Sequence, residues 1–213
     1  MAAYDLEEQE QLATLKAWWK DNGKQVVATA VLAVVVVAGW LGWNNYQRSQ
    51  AAQASNLYDA VQKTAAAGDL KLVRESAGAV LEQFPRTTYA AMAALVSAKA
   101  HFQGGDLKTA HAQLAWVAEN AKDEALQDIA RLRLASVMLD EKAHDDALKL
   151  LDAKHGAAFD AQYLATRGDI LVAQGKKEEA GNAYKAALEK ADAKDAGQRA
   201  YIQLRLDALG TAK

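Results

Sequence analysis

The stretch from Gln25 to Gln47 contains no Asp, Glu, Lys or Arg, although charged residues are frequent on both sides of it. As a helix, this stretch would be about 35 Å long, enough to cross the hydrocarbon core of a bilayer. Val26, Val27, Ala30, Val31, Leu32, Val34, Val35, Val36 and Val37 would cover every face of that helix. A core helix of a domain this size keeps a polar stripe, so a buried soluble helix is a poor fit. After Gln25 only Thr29 is polar before Asn44 and Asn45, and its hydroxyl can bond a carbonyl one turn back. With no ionisable group inside, the run predicts a single anchor and gives no sign of a channel or proton relay.

Ala52-Gln53-Ala54 before Ser55 resembles a small-residue cleavage site, but it lies too far beyond the apolar run. Trp40, Trp43, Asn44, Asn45, Tyr46 and Arg48 intervene, and the leader before Lys24 is long and net acidic, so the anchor is expected to be retained. Lys16, Lys20 and Lys24 precede the span, against Arg48 and Lys63 after it, a mild bias toward a cytoplasmic N-terminus. Trp18 and Trp19 at one end, and Trp40, Trp43 and Tyr46 at the other, suit the two membrane interfaces. The cluster Asp5, Glu7, Glu8 and Glu10 reads first as a solvated leader; followed by Leu12, Leu15, Trp18 and Trp19 at helical spacing, it also fits a short amphipathic helix at the membrane surface. Ala38, Gly39 and Gly42 form a small-residue face on which another membrane helix could pack closely. The expected division is a cytoplasmic leader at 1–24, a transmembrane helix at 25–47 and a periplasmic domain at 48–213.

Beyond Ser55, apolar residues recur at helical spacing and no strand-like alternation persists. Placing Val73, Ala110, Ala147 and Ala180 in register gives spacings of 37, 37 and 33 residues, near the tetratricopeptide period. Twelve residues earlier stand Val61, Ala98, Ala135 and Gly168, where the two helices of a hairpin cross. Gly68, Gly105, Lys142 and Gly175 occupy the turn, while Ala77, Leu114, Leu151 and Tyr184 follow the anchors by four. Pro85, the single proline, closes the first unit. The expected fold is all-α: one transmembrane helix, then a tetratricopeptide-like solenoid of four hairpins. A helix at Gln198–Leu209 should cap it through Tyr201, Ile202, Leu206 and Leu209.

The runs "EEQEQLATLKAWWKDNGKQV", "GWLGWNNYQ" and "AAQASNLYDA" resemble the N-terminal signature of YfgM-type ancillary subunits of the bacterial SecYEG translocon. The resemblance rests on Glu10, Lys16, Trp18, Trp19, Asn22, Gly23, Lys24, Gly39, Trp40 and Tyr58, and it becomes diffuse through the repeats. It implies one inner-membrane span, a periplasmic repeat domain, association with the translocon and partnership with the membrane-anchored chaperone PpiD. Catalytic residues are not among its implications.

The residues themselves offer little chemistry. His101, His111, His144 and His155 show no metal-ligand spacing and read as surface or turn histidines. Gly104-Gly105 leads into Asp106, which would repel phosphate, and no motif supplies Ser97 or Ser136 with a base. Neither cofactor nor metal is expected, and no enzyme. After Gln47 the chain holds 22 basic and 22 acidic residues, so it lacks the field that nucleic-acid binding uses. Stacked hairpins curve, and their first helices line the inside, where the repeat register places Tyr58, Gln62, Leu95, Lys99, Leu132, Ser136 and Asp169.

No succession of Lys and Asn is present there to clamp a terminal carboxylate, which points to an apolar helix or extended segment as ligand. The function expected is a membrane-anchored adaptor of the translocon, in contact with lipid, chaperone and unfolded secretory polypeptides. Two other readings share these features: a negative regulator of envelope-stress signalling acting through its leader, and a scaffold for envelope assembly enzymes.

Overall fold

Alanine and leucine dominate the stretches between turns, and both lose little conformational freedom in a helix. The computed structural model describes residues 2–211, with side chains over 8–210. Among them it contains nine α-helices, one 3-10 turn and no strand. The chain divides into two compact units, Met1–Ser49 and Gln50–Lys213.

Within the first unit, the long helix α1 (Ala2–Ala66) is unbroken through leader and apolar run, so the leader is helical but continuous with the run that follows. Asp5 and Glu7 of the acidic cluster lie outside the described side chains. Among the described residues this is one helix long and apolar enough to cross a membrane, and none of its most apolar window is buried by protein. Thr29 donates its hydroxyl to the Gln25 carbonyl at 2.9 Å, the local bond expected of it. A methyl group added at Gly39 or Gly42 would meet no described atom within 4 Å, so that side of the helix is open within its unit.

The second unit opens with the C-terminal part of α1, which pairs with α2 (Leu70–Gln83) through Tyr58, Val61, Ala77 and Val80. The segment after Gln47, rich in Gln, Ser and Ala, is helical and already contributes Ala54 to the core. Next come α3 (Thr88–Gln103) with α4 (Leu107–Asn120), and α5 (Glu124–Asp140) with α6 (His144–Leu150). A 3-10 turn (Ala157–Phe159) then leads into α7 (Asp160–Ala173) with α8 (Lys177–Lys190), and α9 (Ala196–Thr211) ends the array.

The repeat register is written into the core. Val73, Ala110, Ala147 and Ala180 are all fully buried, and the residues four positions later are at most 3% exposed. Gly68, Gly105, Lys142 and Gly175 share positive φ values of 73°, 80°, 61° and 78°. At two of these turns the next residue is Asp69 or Asp106, whose carboxylate accepts an amide of the following helix at 3.0 Å. Lys142 is the turn residue that has a Cβ, and the left-handed conformation costs such a residue about 1 kcal/mol. Lys142→Gly is therefore expected to stabilise the domain by about 0.5–1 kcal/mol, whereas Lys142→Ala gains nothing. Paired denaturation curves check this.

Two features depart from the sequence expectation. In α9, Ile202 is buried and Leu206 and Leu209 pack with it, but Tyr201 is 47% exposed. Its ring lies under the Arg205 guanidinium at 4.8 Å, so the expected four-residue apolar face has three members. The second departure is the early end of α6 at Leu150, where the sequence shows no turn signal. Residues 152–156 fold back over α5 because Asp128 holds them. Its carboxylate accepts the Gly156 amide at 2.9 Å, the Tyr163 hydroxyl at 3.1 Å and Arg131 at 2.9 Å. His155 stacks on the Tyr163 ring with centroids 3.8 Å apart, and burial pushes the Tyr163 phenol up to about 12.

Candidate protein-binding groove

One position recurs on the first helix of every hairpin, occupied in turn by Gln62, Lys99, Ser136 and Asp169. The structure gives the four different surroundings. Gln62 is exposed and donates to the Tyr58 hydroxyl at 3.2 Å. Tyr58 itself is 8% exposed and faces Tyr89, with ring centroids 5.8 Å apart. Leu95, 9% exposed, belongs to the core, and Leu132 packs half-buried against the cluster around Ala135 and Leu151. Tyr58 and Leu95, expected on the inner wall, thus support it from behind. Apolar side chains at these positions are drawn into the hairpin crossing.

Asp169 is tied up within the chain. It accepts the Tyr184 hydroxyl at 2.7 Å and the Arg205 guanidinium at 2.7 Å, which joins α7, α8 and α9. Burial raises its carboxyl above the ordinary range, opposed by those two partners, and burial likewise pushes the Tyr184 phenol up.

Lys99 and Ser136, by contrast, meet across an open groove of about 130 Å³ between α3 and α5. Its floor is Ala98, Leu114 and Val137, each 2% exposed, and Phe102 and Arg133 complete the walls. Phe102 and Arg133 escape the sequence reading, although each lies three residues, one helical turn, from a residue it identified. The Ser136 hydroxyl donates to the Leu132 carbonyl at 3.1 Å, so it is a polar rim with no activating base. A second cavity of about 220 Å³ is lined by Glu124, Asp128, Arg131, Lys154 and His155; Asp128 and Arg131 pair with each other at 2.9 Å, and His155 reaches Asp160 at 3.3 Å.

His101 corrects the reading of the histidines as surface or turn residues. It is fully buried, with Nδ1 3.2 Å from the Asp106 carboxylate, which also takes Arg74 at 2.6 Å. Burial holds its imidazole below the ordinary value; Asp106 pulls it back up and Arg74 pushes it further down. The unfolded chain takes up this proton near pH 6.5 while the folded chain resists it, so stability is whole above that pH and is lost as pH falls below it. Melts of the wild type are expected to fall more steeply from pH about 7.5 to about 5 than those of His101→Gln. Among the described residues no group of three or more His, Cys, Asp or Glu could hold a metal ion.

Helix pairs in tetratricopeptide register, following in sequence a helix long and apolar enough to cross a membrane, with a groove between two of their first helices, define the class among the described residues: a helical-repeat protein with an N-terminal apolar helix. A tetratricopeptide repeat-like domain family matches residues 16–211. A protein of Neisseria gonorrhoeae is 35% identical over 210 residues, covering 98% of this chain and 100% of its own. One from Haemophilus influenzae is 34% identical over 191 residues, covering 88% and 91%, and one from Escherichia coli is 31% identical over 182 residues, covering 85% and 87%. All three are named ancillary SecYEG translocon subunit. The chain belongs to this family of tetratricopeptide repeat-like ancillary SecYEG translocon subunits.

Proposed function

We propose that the chain is a non-enzymatic adaptor anchored in the bacterial inner membrane beside the SecYEG translocon. Residues 1–24 lie in the cytoplasm, 25–47 cross the lipid, and 48–213 stand in the periplasm. There the groove receives the chaperone PpiD or an emerging secretory polypeptide. The observation that carries this reading is the extent of the similarity. Tetratricopeptide folds serve many functions, but here the match includes the apolar helix as well as the repeats, covering 98% of the chain. An anchor adds a physical advantage, since confinement beside the exit raises effective concentration and lets a shallow groove act. Ala38, Gly39 and Gly42 are the face on which a translocon helix packs.

Photocrosslinkers placed at Trp40 and Gly42 in native membranes are expected to capture translocon subunits, and one at Ser136 a periplasmic protein. Protease added to spheroplasts should digest the repeats and spare the leader. Capture of lipid alone from the span, or digestion of the repeats only after membrane rupture, would overturn the assignment.

A further inference from the structure

The repeat position shared by Lys99, Ser136 and Asp169 shows what this fold does with charge on its inner helices. At Asp169 the carboxylate is matched within the chain, because α9 supplies Arg205 at 2.7 Å. At the groove between α3 and α5 the polarity is reversed and the match is missing. Lys99 and Arg133 both line it, no acidic residue does, and among the described residues neither cation makes an ion pair or hydrogen bond. Between them the floor of Ala98, Leu114 and Val137 is apolar, and Phe102 stays 40% exposed beside it.

From this juxtaposition we propose that the groove recognises a peptide segment presenting one apolar side chain flanked by carboxylates. The proposal rests on the adaptor reading and specifies the chemistry of its partner. Size supports it: a cavity of about 150 Å³ takes a benzene ring, and this groove measures about 130 Å³, room for one leucine or aromatic side chain. Charge sets the flanks, since an uncharged segment would cover two cations without replacing the water around them, whereas carboxylates at the rim replace it. Sequence alone favours an apolar ligand without acids; the pairing pattern of the folded chain adds the acids.

The test uses the full-length chain in nanodiscs and three fluorescent peptides that differ only around a central leucine, flanked by glutamates, glutamines or lysines. The glutamate peptide is expected to bind about fivefold or more tighter than the glutamine peptide, an advantage that shrinks with added salt. The double variant Lys99→Glu/Arg133→Glu changes only exposed side chains and should reverse the order in favour of the lysine peptide. Phe102→Ser should weaken all three. Equal binding of the glutamate and glutamine peptides, with both weakened by Phe102→Ser, overturns the acidic specificity and leaves the groove as a contact site. Binding that is absent, or indifferent to all these substitutions, overturns the proposal. The Ser136 crosslinks then decide separately whether the adaptor reading survives.

Discussion

Asp128→Ala is expected to destabilise the repeat domain by about 3 kcal/mol, because it removes the one acceptor shared by three buried or half-buried donors. Asp128 is 2% exposed. Its loss strands the Tyr163 hydroxyl, the Gly156 amide and one arm of Arg131, from three separate parts of the chain. Asp128→Asn keeps the shape and an acceptor oxygen, so it should cost roughly half as much. Denaturant midpoints measure both. Limited proteolysis supplies a local readout, since residues 152–156 should be cut faster in the alanine variant than in the wild type. An Asp128→Ala chain that melts with the wild type would show that the loop is held by something else. Because α5 also carries Arg133 and Ser136, the same variant should weaken the groove.

Gly168→Ala should cost about 2–3 kcal/mol, although alanine is ordinarily the better helix former. A Cβ at Gly168 would stand 2.5 Å from Cε1 of Tyr184, and 2.7 and 2.8 Å from its Cδ1 and Cζ. The ring cannot swing aside cheaply. Tyr184 is 1% exposed and its hydroxyl is fixed to Asp169, which Arg205 holds in turn. Gly181→Ala is the control: its Cβ would lie 3.8 Å from Leu209, an ordinary contact, so it should be neutral or slightly stabilising. Trimming the ring should remove the clash, so Gly168→Ala is expected to cost much less in a Tyr184→Leu background. Additive penalties in that double variant would mean the two residues do not touch.

These two sites also mark how far the sequence could be read. Small residues at Ala98, Ala135 and Gly168 announced the helix crossings, and the turn column announced the turns, whose backbone is left-handed even where Lys142 replaces glycine. Such features repeat because each hairpin meets the same local geometry. Asp128 repeats nowhere, and its meaning depends on Gly156, 28 positions later, and Tyr163, 35 positions later. In the same way His101 reads as a turn histidine until Asp106 and the helices around it enclose its ring. Of the residues expected on the inner surface, Lys99 and Ser136 border the groove between α3 and α5. The register could not separate them from Tyr58 and Leu95, because helical period tells which residues share a face and not how deeply a neighbouring helix covers it.

By itself the sequence determined the apolar helix, the all-α repeat and its register, because span length, hydropathy and period act locally on any chain carrying them. Tertiary structure alone decided which charges are spent and which are free. Asp169 meets Arg205 across 36 residues and is closed off, while among the described residues Lys99 and Arg133 meet no acid and line the open groove. Electrostatic partnership depends on distance in space, and only the packing of helices far apart in the chain sets that distance.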